Sequence, residues 1–239
     1  FMWQLLSAVA YCHSRGVLHR NLKPKHILVK DVKNSSVGKK LLITDFALVR
    51  LTSVPLKTFT AEVVTLWYRA PEVLMGGEYV SGVDIWSAAC VFVEMLQGSP
   101  IFVGISEVDQ LFQIFSKLGS PSRKSWSQIE SRPNYSFAFP NWPARKYETI
   151  FPDFPTEALD LLSKMFQYDP RKRISARDAL EHPYFNDLEE CVRKEALETL
   201  PPRQSSPEMD FGYFLSSIER TSYPLKPFLG PQSCQPELT

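Results

Sequence analysis

The sequence predicts a mainly α-helical fold with a few short strands, and three observations carry that reading. Apolar residues recur at helical spacing in several segments, the most apolar of them closed by Gly98 and Pro100. The strand-like runs are only two or three residues long: Val17-Leu18, Ile27-Leu28-Val29 and Leu41-Leu42-Ile43. Helix-start signals, Ser106 with Asp109 and Ser175 with Asp178, precede two of the helical patterns.

Residues 1–14 place Phe1, Leu5, Leu6, Val9 and Cys12 on one helical stripe, with Gly16 where a C-terminal cap belongs. The polar stretch 30–40, which holds Asn34-Ser35-Ser36, reads as a solvent loop between two of the strand-like runs. Leu28 lies in the first of these and reads as a buried strand residue. Pro55 and the Thr-rich residues up to Thr60 read as an extended loop. An apolar helix is expected over 84–96, and Ser106 starts a second one that runs to Leu118 and stops at Gly119. Residues 121–155 are rich in proline and aromatics without periodicity, which predicts an ordered but irregular excursion. A helix beginning at Thr156 presents Leu159, Leu162, Met165 and Phe166 on one face, and a short helix follows Ser175 to Leu180. After Thr199 the prolines Pro201, Pro202, Pro207, Pro224, Pro227, Pro231 and Pro236 mark a tail that has little to bury and is expected to be disordered.

Of 239 residues, 44% are hydrophobic and 22% charged, the balance of a soluble globular protein with a real core. A net charge of +1 gives no electrostatic case for nucleic acid or an anionic membrane as partner. The longest apolar run, residues 88–93, is far short of the about 20 residues a membrane span needs. Cys12, Cys90, Cys191 and Cys234 form no C-x-x-C pair. Cys12 and Cys90 sit in apolar helical patterns and read as buried free thiols, which suits a reducing compartment, cytoplasmic or nuclear. Opening at Phe1 inside a helical pattern, the chain reads as a piece of something longer.

The chemistry concentrates in His19-Arg20-Asn21-Leu22-Lys23-Pro24-Lys25-His26. Asp45-Phe46-Ala47 follows a strand-like run, and Ala70-Pro71-Glu72 comes 25 residues later. In that order and spacing the three resemble the H-R-D-L-x-x-x-N, D-F-G and A-P-E motifs of a protein-kinase C-terminal lobe. The similarity narrows further. The run Glu62-Val63-Val64-Thr65-Leu66-Trp67-Tyr68-Arg69 leading into A-P-E, Val83-Asp84-Ile85-Trp86-Ser87, Glu107-Val108-Asp109-Gln110-Leu111-Phe112, Asp169-Pro170, Lys172-Arg173-Ile174-Ser175 and His182-Pro183-Tyr184-Phe185 resemble the cyclin-dependent kinase family. The resemblance covers residues 1–188, which implies a kinase C-terminal lobe followed by an extension over 189–239.

The resemblance implies ATP and Mg²⁺ as cofactors, Ser/Thr-Pro protein substrates and a cyclin as a candidate partner. Asp45 matches the aspartate that ligates Mg²⁺, for which carboxylate oxygen is a suitable donor. Lys23 matches the lysine that reaches the transferring phosphate in Ser/Thr kinases, and Leu28 the leucine beneath the adenine. Thr60 matches the phosphorylated activation-loop threonine, with Arg20 and Arg50 as its phosphate-clasping arginines. Val63 and Val64 match the pocket that favours proline after the phosphoacceptor, and Thr65 the hydroxyl that bonds the catalytic residue. Glu72 with Arg173 matches a buried ion pair. Asp84 matches the aspartate that braces the catalytic loop.

Three positions depart from the pattern. Asn21 stands where the family has its catalytic aspartate; a carboxamide hydrogen-bonds a hydroxyl but does not take its proton. General-base help is typically worth about 10²–10⁴-fold, although phosphoryl transfer leans mainly on positioning and charge. His26 replaces the metal-binding asparagine, and imidazole is a poor Mg²⁺ ligand, so a histidine hydrogen-bonded within the loop is the plainer expectation. Ala47 replaces the D-F-G glycine, whose backbone freedom a β-carbon removes. The first glycine is Gly16, and no G-x-G-x-x-G occurs, so the resemblance contains no N-terminal lobe. Three readings stay open on these residues: a kinase lobe of reduced rate, a pseudokinase that binds a cyclin or substrates without phosphorylating them, and a decayed product with no function.

Overall fold

The computed structural model describes residues 1–31, 38–46, 50–51, 65–77, 80–136, 139–188 and 200–201, with backbone only at 50 and 51. Residues 1–203 form one compact unit, and residues 204–239, a second unit, lie outside the described residues. Helix α1 spans Met2–Ser14 and is followed by strands β1 (Val17–Leu18), β2 (Ile27–Asp31), β3 (Lys39–Ile43) and β4 (Arg50–Leu51). Six helices follow: α2 (Pro71–Leu74), α3 (Gly82–Gln97), α4 (Glu107–Leu118), α5 (Tyr147–Ile150), α6 (Thr156–Met165) and α7 (Ala176–Leu180). The predicted mainly α fold is thus observed, with two two-stranded antiparallel ribbons.

Helix α3 is the axis of the core. Its first twelve residues are all buried, polar Asp84 and Ser87 included. An all-round apolar helix must be covered on every side, and α1 and α6 pack against α3. Burying each of its large side chains contributes roughly 1.5–3 kcal/mol. Trp86, fully buried, meets Phe166 edge-on at 4.9 Å between ring centroids and lies beside the Arg173 guanidinium at 5.1 Å. Gly98 ends the helix with a left-handed φ of 78°, a conformation that glycine adopts without strain.

Both predicted capping signals form. Ser106 Oγ accepts from the Asp109 N–H at 3.1 Å, and Ser175 Oγ from the Asp178 N–H at 3.0 Å. Helix α4 is amphipathic and buries Leu111, Ile114, Phe115 and Leu118. The stretch 121–155 is irregular as expected, apart from a 3-10 turn at Ile129–Ser131 and the single turn of α5. Leu200, near the C-terminal end of the described chain, is buried, and the carbonyl of Pro201 accepts from Arg177 Nη1.

The β2–β3 ribbon pairs Ile27 with Ile43, Leu28 with Leu42 and Val29 with Leu41. Gln4 of α1 anchors it at one edge: its Oε1 accepts from Leu41 N at 2.6 Å and its Nε2 donates to Lys39 O at 3.1 Å. The ribbon departs from the sequence reading in one respect. Leu28 is 52% exposed, because a two-stranded ribbon covers only one of its faces. Cys12 is likewise only partly buried, whereas Cys90 is fully buried; both are free thiols.

Candidate functional site

Asp84, on the first turn of α3, organises the loop that follows β1. Its Oδ2 accepts from the His19 N–H at 2.9 Å and its Oδ1 from the Arg20 N–H at 2.7 Å. His13 of α1 adds its Nε2 at 2.9 Å from Oδ2. This brace holds Arg20 in a left-handed conformation (φ 68°) that a residue with a β-carbon adopts only under constraint. Burial alone pushes the Asp84 carboxyl up. The His13 contact and the two backbone N–H bonds outweigh it and hold the group below the ordinary carboxylate value.

His19 then ties the loop to the end of β3. Its Nδ1 accepts from the Asn21 N–H at 3.3 Å, which leaves Nε2 as the donor to the Thr44 carbonyl at 2.9 Å. Burial lowers the affinity of this ring for a second proton, in keeping with the neutral tautomer. The Thr44 N–H and Oγ1 both reach the His26 carbonyl, at 2.9 and 3.1 Å. Asp45 follows with φ 63°, and Phe46 packs edge-on against His19 with ring centroids 5.0 Å apart.

The centre of the site is a contact among the two substituted residues and Asp45. Asn21 Nδ2 donates to Asp45 Oδ2 at 3.2 Å. His26 Nε2 lies 3.0 Å from the same oxygen. His26 Nδ1 lies 2.8 Å from the Asn21 carbonyl, an acceptor only, so Nδ1 carries a proton and donates. The neutral ring therefore turns its Nε2 lone pair toward Asp45, and the doubly protonated ring turns an N–H there and forms an ion pair. The loop-bonded histidine expected from the sequence is present, with its Nε2 set against the Asp45 carboxylate.

This donor set does not fit Mg²⁺. That ion takes near-octahedral oxygen ligation, and here one carboxylate oxygen is shared with an amide N–H while an imidazole nitrogen occupies the neighbouring position. Among the described residues no group of three or more His, Cys, Asp or Glu could hold a metal ion.

Lys23 is extended (φ −163°, ψ 162°) at the start of the Pro24–His26 turn. Its ammonium is pushed down by burial and by the charges of Lys25 and Arg69, while Asp45 pulls it up. Lys23 thus lies within electrostatic reach of Asp45. Leu28, Leu42 and Phe46 form exposed apolar surface on the neighbouring ribbon and just beyond it. Thr65 is exposed and makes no hydrogen bond to Asn21, whose Nδ2 donates to Asp45 instead. Ala47, Thr60, Val63, Val64 and the side chain of Arg50 lie outside the described residues. His13, Gln4 and Thr44 were not legible as loop supports from the sequence: no local pattern distinguishes a helix or strand-end polar residue that bonds a distant backbone.

Glu72 and Arg173 close a fully buried bidentate pair behind the site, at 2.7 and 3.0 Å. Elsewhere in the fold, Trp67 Nε1 donates to the Gly104 carbonyl at 3.1 Å, and the buried Gly104 N–H donates to Gln110 Oε1 at 2.8 Å. A β-carbon at Gly104 would come within 2.5 Å of the Gln110 Cα, so glycine is needed for this approach.

A loop turn braced from a buried helix, joined to a strand-ending aspartate and followed by a buried Glu–Arg pair, fits a kinase-like fold. The family model of the protein kinase domain matches residues 1–185, and the chain belongs to that family. Protein kinases in general use ATP and Mg²⁺ and act on protein substrates. No described helix is long and apolar enough to cross a membrane.

Proposed function

We propose that this chain is the C-terminal lobe, residues 1–188 with an extension over 189–239, of a cyclin-dependent-kinase-like protein that acts as a pseudokinase. It holds Ser/Thr-Pro protein segments or a cyclin without transferring phosphate, in the cytoplasm or nucleus. One observation carries the reading: Asn21 and His26, the two residues at the base and metal positions, both engage Asp45 Oδ2. The base position lacks a proton acceptor, and the aspartate that family members use for Mg²⁺ is taken up inside the loop. The braced backbone around Asp84 argues for a maintained surface rather than a decayed one.

A second reading, a kinase of reduced rate in its complete form, draws on Lys23, which is retained within electrostatic reach of Asp45. The two separate on direct measurement. The chain binds a Ser-Pro peptide without nucleotide and incorporates no labelled phosphate into it from Mg²⁺-ATP. Incorporation above the level of an Asp45→Asn control overturns the pseudokinase reading. In the full-length protein, Asn21→Asp with His26→Asn raises turnover; equal turnover of parent and double variant shows that these two residues do not limit it.

A further inference from the structure

We propose that the cavity between the start of α3 and residues 170–175 binds a small carboxylate with an apolar body. The inference does not involve the loop that carries Asn21 and His26, and it is independent of the pseudokinase reading. The cavity encloses about 320 Å³, at the small end of the about 300–1,000 Å³ that ligand pockets occupy. Val80, Ile85, Pro170 and Ile174 give it apolar walls, and a few side chains at the rim and the back supply its polar contacts. An apolar chamber with a small number of polar groups is the composition of a small-molecule site. Its lining comes from two short segments, 80–85 and 170–175, which enclose one compact body rather than a length of extended chain.

The charge of the lining selects the ligand. Arg173 forms the back wall, and its guanidinium is already satisfied: it pairs with Glu72 and donates to the Gly82 and Gln167 carbonyls. At the rim, Ser175 is committed to Asp178, its Oγ 2.6 Å from Oδ2. Two rim groups stay open. Ser81 makes no side-chain capping bond at the start of α3. Arg171 is exposed and its guanidinium pairs with no carboxylate among the described residues. Only its backbone N–H meets an acid, Asp169 Oδ1 at 3.0 Å.

Among the described residues no Asp or Glu lines the cavity. A guanidinium stays charged throughout the physiological range, and its planar fork matches a carboxylate bidentately. An anionic head on Arg171 and Ser81, with the apolar body turned in toward the buried Ile85, satisfies both halves of the cavity. A cationic head meets Arg171 with like charge, and a neutral head leaves it without a charge-assisted partner.

The test titrates 4-phenylbutanoate into the whole 239-residue chain under calorimetry, with 4-phenylbutanol and 4-phenylbutylamine as neutral and cationic analogues of the same body. One molecule of the acid binds, at least about tenfold more tightly than either analogue, the scale of a charge-assisted over a neutral hydrogen bond. Arg171→Gln weakens the acid at least about tenfold and leaves the alcohol unchanged, which separates the charge from the chamber. Val80→Trp fills the chamber from its rim and weakens acid and alcohol alike. Lys172→Gln removes an exposed neighbouring cation that does not line the cavity and changes neither. All three positions are at least partly exposed, and thermal melts check that the variants fold. Saturating acid raises the urea midpoint of the parent and not that of Val80→Trp, because a ligand that binds only the folded chain stabilises it. The proposal is overturned if the acid shows no binding up to about 10 mM, or if the amine binds as tightly as the acid. Binding that survives Val80→Trp, or a Lys172→Gln loss equal to that of Arg171→Gln, overturns it as well. None of these outcomes bears on the phosphate-incorporation measurement that decides the pseudokinase reading.

Discussion

Arg173 and Glu72, 101 residues apart in the chain, are joined by two side-chain hydrogen bonds in a space that excludes water from both. The guanidinium is satisfied on its other edges as well: Nη1 also donates to the Gly82 carbonyl at 2.7 Å and Nε to the Gln167 carbonyl at 3.0 Å. Arg173 therefore ties α2, the start of α3 and the end of α6 into one unit. Removing one partner strands the other charge in the core, which costs about 3–5 kcal/mol, whereas replacing both with apolar residues of similar volume is close to neutral. Glu72→Gln is expected to lower the urea unfolding midpoint severely, and Glu72→Leu with Arg173→Met to recover most of the loss. A Glu72→Gln cost below about 1 kcal/mol would place the anchoring of this segment elsewhere.

That pair was readable because both residues sit in motifs whose spacing matches a protein kinase domain, and α3, α4, α6 and α7 were readable because their signals are local. Ser106 and Ser175 announce helix starts by side-chain chemistry alone, and both caps form. The four-residue helices α2 and α5 escaped notice since one turn has no periodicity; α2 is also hidden inside the A-P-E motif. Leu28 illustrates a second limit. Strand pattern tells which residues alternate, not what covers the ribbon, and this face is open. The contact of His26 and Asn21 with Asp45 is a third case. It depends on two left-handed residues, Arg20 and Asp45, held by bonds from Asp84 and Thr44, and no local sequence rule reaches that far.

Asp84 gives the brace a pH dependence whose sign follows from its depressed carboxyl. A group lowered by folding contributes its full stabilisation above its unfolded value, about 3.9, and loses it as pH falls through the lower folded value. Asp84→Asn, which cannot carry the charge, should be several kcal/mol less stable than the parent at neutral pH, the scale set by breaking a buried, multiply bonded charge. The gap should narrow as pH falls below about 4 and the parent takes up its proton. Chemical unfolding of both proteins across that range measures it. A gap that is constant with pH, or widens in acid, contradicts the charge-based brace.

The two described cysteines should differ in how they resist alkylation, and the difference reports on the α1–α3 contact. Burial pushes the Cys12 thiol up to about 11, with the Asp84 charge acting in the same direction and Arg15 against it. Cys90, fully buried in α3, is raised well above the ordinary thiol value, first of all by burial, with the Arg173 charge acting against it and Glu94 with it. Only the thiolate reacts, so at pH 8 Cys12 carries on the order of a thousandth of its population in reactive form, against about a quarter for an ordinary cysteine. Iodoacetamide labelling resolved by peptide mass should show Cys12 reacting at roughly a few thousandths of the free rate and gaining about tenfold per pH unit up to its raised value. Cys90 should stay unlabelled over the same range and react only with the rate of unfolding, because its sulfur has no path to solvent while α3 is in place. Labelling of Cys90 in step with Cys12 would mean that α3 opens locally near its midpoint, and with it the support that Asp84 gives to the loop carrying Asn21 and His26.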